Sequence, residues 1–158
     1  MTLNCSHESR AMPAALHDIA RNVLPNLTAD NYKVTSAASW TYNCIAWALG
    51  LGDIWWWPAP GRFWPPDVPR EETLDAFLAA CATCGFSPCT SSALESGLEK
   101  IALYALGAVP THAARQLPNG WWTSKLGPNV DIEHADLEAV ADGAYGNPVA
   151  LLCKARTD

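Results

Sequence analysis

Apolar residues recur along this chain in two different rhythms. Leu16, Ile19, Ala20, Val23 and Leu24 follow helical spacing between Pro13, which suits a first helical position, and Pro25, which stops the run. Ile45, Ala46, Trp47, Ala48 and Leu49 form a short run after polar, cap-type residues and before Gly50, which predicts a buried helix over about 42–49. Leu74, Phe77, Leu78 and Cys81 fall at i, i+3, i+4 and i+7 ahead of Gly85, predicting a helix over 71–84. Beyond a loop at 86–92 and a short turn at 93–99, the rhythm changes. Runs at 101–106, 111–117 and 121–125 read as strands, the last two joined by the turn Pro118-Asn119-Gly120. A short helix near 135–141 and a final strand at 149–153 complete the pattern. Helices first and antiparallel strands after predict an α+β domain.

Between the second and third helices lies Asp53 to Pro66, which holds four of the eight tryptophans and four of the twelve prolines. Proline denies this stretch regular structure. Its rings either fill the core or wall a cleft, with Trp57 and Trp64 as candidate substrate contacts. Residues 1–12 read as a flexible arm, and 13–158 as one domain with the Trp/Pro-rich loop at 53–70.

The 158 residues, 49% hydrophobic, suffice for one real core. The formal net charge is -6 with no basic stripe, which argues against nucleic acid as a partner. There is neither a signal-peptide pattern nor an apolar run long enough for a bilayer, so the expectation is cytoplasmic synthesis, with signal-independent export left open. In that setting the six cysteines are expected to be free thiols. Cys81, Cys84 and Cys89 form C-x-x-C-x4-C, but Cys81 continues the apolar face of a helix, so no metal or other cofactor is expected.

The chemistry concentrates at Cys44, in the first turn of its predicted helix, and His112, 68 residues later at the start of a strand. Helix N-terminal N–H groups and a nearby imidazolium both lower a thiol's pKa, and the same imidazole can then protonate a leaving group. Backbone N–H groups at the helix start, with the side-chain amide of Asn43, can donate to an oxyanion. Equally, Cys44 can be a small core residue and His112 a polar strand end. The group orienting the imidazole depends on register. A two-residue turn sets His112 on the face of Thr123 and Lys125, whereas a three-residue turn brings Ser124 round. Asp131 and His134 lie just beyond, as candidate third residues or as charges at a helix start.

Asn43-Cys44 at a helix start followed by His112-Ala113 on a strand is similar to the NlpC/P60 and CHAP amidases of the papain-like superfamily. More closely, the chain resembles a group of small bacterial proteins carrying Tyr-Asn-Cys, Lys-Ile-Ala-Leu-Tyr, His-Ala-Ala-Arg-Gln and Trp-Thr-Ser-Lys-Leu-Gly, here Tyr42–Cys44, Lys100–Tyr104, His112–Gln116 and Trp122–Gly127. The resemblance implies a single papain-like domain, with the Cys44 helix packed on a mostly antiparallel sheet. It also implies a cysteine hydrolase (peptidase, amidase or deamidase) acting on an amide bond of a peptide or protein, with no membrane partner. Cys44 would be the nucleophile, His112 the base, and Asp131 or His134 the orienting group. The glutamine that papain-like peptidases place before the cysteine is absent from Ser36-Ala37-Ala38-Ser39. The alternative expectation is a non-enzymatic protein-binding module that uses the Trp/Pro-rich loop.

Overall fold

The computed structural model describes residues 23–157. The expected arm, and most of the helix expected after Pro13, lie outside the described residues. Among the described residues, seven strands form one sheet in the order β1-β6-β5-β4-β3-β7-β2, every neighbouring pair antiparallel. These are β1 (Tyr32–Val34), β2 (Ser87–Cys89), β3 (Leu98–Leu106), β4 (Val109–Gln116), β5 (Trp122–Lys125), β6 (Asp131–His134) and β7 (Asn147–Ala155). Among the described residues the α-helices are α1 (Cys44–Ala48) and α2 (Leu74–Ala82), and the short helix expected near 135–141 is a 3-10 turn over Leu137–Val140. The α+β class is as the sequence rhythm indicates.

Directly opposed residues of an antiparallel pair share a face, and neighbours along a strand alternate faces. Ile101, Leu103, Ala113 and Leu152 therefore point to one side, where they pack with α1, α2 and the tryptophan loop. Ala102, Tyr104, Ala114, Trp122 and Ile132 point to the other, under Leu24, Leu27, the 3-10 turn and Tyr145. The sheet thus separates two cores, a helix side and a turn side. Both outermost strands, β1 and β2, are only three residues long. Such short edges offer little template for pairing with another chain.

The tryptophan loop is held by its backbone. Trp57 N–H donates to Phe63 O and Phe63 N–H to Trp55 O, so the chain hooks back on itself despite its prolines. Its indole rings turn inward, while Phe63 stays exposed. Trp55, Trp56, Trp57 and Trp64 are all buried, and Phe77 of α2 meets the rings of both Trp57 and Trp64 at 5.1 Å. The indole N–H of Trp64 donates to Pro69 O at 2.9 Å. Of the two loop readings, Trp57 and Trp64 follow the core one, and neither ring faces an open cleft.

Candidate functional site

Cys44 is the first residue of α1, as its sequence context indicates, with Asn43 as the cap. The Asn43 side chain has a specific task. Its Oδ1 accepts from Ala46 N–H at 3.3 Å and from Trp56 N–H at 3.0 Å, while its Nδ2 donates to Trp56 O at 2.7 Å. One buried amide therefore caps the helix and clasps the tryptophan loop through both polar groups of Trp56. The carbonyl and one of the two N–H groups of this amide are therefore committed to the cap and the loop rather than to a substrate.

Cys44 itself is fully buried among α1, the tryptophan loop and the sheet. It is disulfide-bonded, whereas Cys81, Cys84, Cys89 and Cys153 are free thiols. The free-thiol expectation therefore fails at the one cysteine proposed for chemistry. A disulfide is a bond that oxidising compartments preserve and reducing cytosol removes. A sulfur in a disulfide is also no thiolate nucleophile.

His112 points the other way. It is directly opposite Tyr104 on β3, a turn-side residue, and the two rings meet edge-on at 5.4 Å. Tyr145 stacks flat on the imidazole at 4.0 Å. Its neighbour Ala113 is the residue that faces the Cys44 side. Cys44 and His112 are thus on opposite faces of the sheet, and the structure does not bring them together.

His112 belongs instead to a buried relay across three strands. Its Nε2 lies 2.9 Å from Ser124 Oγ, which lies 2.8 Å from His134 Nε2, and His134 Nδ1 lies 2.8 Å from the carbonyl oxygen of Asp136. A carbonyl only accepts, so His134 carries its proton on Nδ1 and its Nε2 accepts from Ser124. The single serine proton is then spent, so Ser124 accepts from His112 Nε2–H. That leaves His112 Nδ1 as a bare, buried acceptor with no hydrogen-bond partner. Both rings are neutral for a clear reason. Burial pushes His112 well below the ordinary imidazole range, helped by repulsion from His134, and burial holds His134 down to about 4. The register behind this relay comes from the three-residue turn. Gln116 pairs with Trp122 and Leu117 N–H donates to Trp121 O, leaving Pro118, Asn119 and Gly120 as the loop.

Asp131, the other candidate orienting group, lies three positions before His134 and on the opposite face, since successive residues of β6 face opposite ways. Its Oδ2 accepts from Tyr42 OH at 2.7 Å, and its backbone N–H donates to Ser36 Oγ at 3.0 Å. It has no path to His112. Beside it, Lys125 is fully buried and donates to three carbonyls, Ser39 O at 2.8 Å, Gly127 O at 2.6 Å and Asn129 O at 2.7 Å. Burial lowers its pKa to about 8, with Asp131 opposing that shift. The Lys125 ammonium also sits 5.0 Å over the Tyr42 ring, and the Arg115 guanidinium 5.2 Å over Trp47. These aromatic faces are already occupied by the protein's own cations.

A second buried lysine, Lys100, donates to Ser91 O and Ala93 O, each at 2.7 Å, and pairs with Glu95. In the sequence Lys125 stands out only as a possible neighbour of His112, and Lys100 only as part of a motif. The available signal is a lysine inside an apolar run, as in Lys100-Ile101-Ala102-Leu103-Tyr104, where a charge is retained only if something satisfies it. These buried polar groups act as staples. Asn43, Lys100, Lys125 and the His112–Ser124–His134 relay each tie a loop or strand to the sheet.

Among the described residues, no group of three or more His, Cys, Asp or Glu is placed to hold a metal, and no helix is long and apolar enough to cross a membrane. No curated protein and no solved structure matches the chain. A family model does match, over residues 33–153, so it takes in Cys44, the tryptophan loop, His112 and the whole relay. The chain belongs to the family described as the domain of unknown function DUF7689.

Proposed function

We propose that this domain works as a non-catalytic protein-binding module, using an exposed aromatic patch beside the tryptophan loop. Supporting this over hydrolysis is the cost of assembling a Cys44–His112 pair. The disulfide would have to open, and β4 would have to slip by one residue to turn His112 toward α1. Such a slip would carry Ala113 and Arg115 to the wrong face as well.

The observation that carries the binding reading is the exposure of two large rings, Trp40 at 44% and Phe63 at 41%, on an otherwise inward-turned aromatic cluster. Trp40 stacks on Trp55 with centroids 6.5 Å apart, and Phe63 lies 4.9 Å from Trp56. Each exposed ring is therefore backed by a buried one, which holds it in place at little entropic cost. Rigid aromatic anchors of this kind dominate binding energy at protein interfaces. The partner is a protein that offers an apolar side chain to the two rings.

The test places a photo-crosslinking amino acid at position 40 or 63, and at exposed Val149 as control, in the organism that makes the protein. The reading expects one discrete protein adduct from positions 40 and 63 and none from 149. It also expects Phe63→Ser to abolish the adduct at 40 without changing the melting temperature. No adduct, or an adduct indifferent to Phe63→Ser, would overturn it.

A further inference from the structure

We infer that Cys89 and Cys153 form a two-thiolate site for a soft monovalent metal ion, with Cu(I) as the fitting case. The two cysteines are on adjacent antiparallel strands, β2 and β7. Ser87 is directly opposite Cys153, and Cys89 opposite Leu151, so the two sulfurs occupy diagonal positions on one face of the sheet. Both are free and half-buried, and the neighbouring Cys153 thiol adds to burial in raising the Cys89 thiol. Lys100 is directly opposite Cys153 on the next strand, which sets its ammonium on the same face. Burial raises the Cys89 thiol, and the nearby Lys100 charge partly offsets this. Cys89 also lines an open groove of about 470 Å³, with Ser92, Leu137, Glu138 and Val149 among its walls, which gives an ion a path in.

The diagonal spacing decides between a disulfide and a metal. Diagonal cross-strand neighbours have Cα atoms about 7–8 Å apart, beyond the span of about 4.4–6.8 Å that a disulfide usually bridges. A metal ion placed between the two sulfurs lengthens the link without moving either strand. Zinc prefers four ligands, and no cluster of three or more ligating side chains is present among the described residues. Thiolates select soft ions such as Cu(I), for which two sulfurs in line suffice. Binding exchanges two thiol protons for one Cu(I), with no change of oxidation state. The resulting bis-thiolate complex carries one negative charge and lies on the face of Lys100, whose own ammonium is paired with Glu95.

The experiment titrates Cu(I), kept reduced by ascorbate and buffered by a competing chelator, into the intact protein. One ion per chain is expected, with a near-ultraviolet thiolate-to-copper band. Cys89→Ser and Cys153→Ser should each abolish it, and Cys81→Ser should leave it intact. In the unmutated protein, N-ethylmaleimide labelling of Cys89 and Cys153, mapped by peptide mass, should slow by about tenfold at nine-tenths occupancy while Cys84 labelling is unchanged. Copper binding indifferent to both serine variants would overturn the inference, as would absence of protection. Rapid closure of a Cys89–Cys153 disulfide by glutathione disulfide in the folded protein would overturn the spacing argument.

Discussion

Mild acid should unfold this protein through its two buried histidines. In the folded state His134 is held down to about 4 and His112 well below the ordinary range, both by burial. In the unfolded chain both titrate near 6.5. Between those values the unfolded chain binds more protons than the folded one, so stability rises with pH there and falls on acidification. The stability is complete above about pH 6.5 and is lost as the pH drops toward the folded values. His134 alone accounts for about 3 kcal/mol of that loss. His112 adds in the same direction, so the sum is a large fraction of the 5–15 kcal/mol that holds a typical domain together. A proton on His112 Nδ1 would have no acceptor, and a proton on His134 Nε2 would force the Ser124 hydroxyl to turn its own proton away. Urea unfolding, followed by tryptophan fluorescence at several values between about pH 7.5 and 4.5, measures the slope. Each histidine contributes about 1.4 kcal/mol per pH unit within its window. His134→Gln should remove one histidine's share of the slope even though it lowers stability at neutral pH. An unchanged slope, or ring nitrogen shifts showing either imidazole titrating above pH 6, would refute the relay.

Other perturbations probe the staples one at a time. Asn43→Ala leaves Trp56 N–H, Trp56 O and Ala46 N–H without their partner, so it should cost about 3 kcal/mol or more in chemical denaturation. Lys125→Met strips three carbonyls of a charged donor and should cost a similar amount, about 3 kcal/mol, seen as a lower melting temperature. Gly146 has φ 68°, and a Cβ there would lie 2.0 Å from Ala105 O. Gly146→Ala should therefore yield little folded protein, whereas alanine at Gly107, whose Cβ would meet nothing within 4 Å, carries only the strain of its own backbone and should fold.

The parts of the fold written in local rhythm were legible. The spacing of Leu74, Phe77, Leu78 and Cys81 gave α2, and apolar runs gave β3, β4 and β5. The short edge strands were not legible. Ser87-Pro88-Cys89 carries no strand pattern of its own and becomes one only by pairing with β7. At the candidate site, the sequence placed Cys44 at a helix start and weighed the turn that brings Ser124 to His112. It could not say which face of β4 meets α1. Strand alternation separates His112 from Ala113 but does not say which side the helix covers. Size offers a usable hint, because Ala46 and Ala48 of α1 and Ala113 of β4 are all small and let helix and strand approach closely. The larger imidazole went to the side with room for Tyr145 to stack on it.

The separation of Cys44 from His112 is most directly tested by the reactivity of the thiol itself. Without reductant, Cys44 should take no iodoacetamide even in denaturant, because it is disulfide-bonded. After reduction and return to native buffer at about pH 6, it should react no faster than a small free thiol, and His112→Gln should leave that rate unchanged. Alkylation faster than the free thiol, and slowed by His112→Gln, would contradict the account and restore the cysteine–histidine pair.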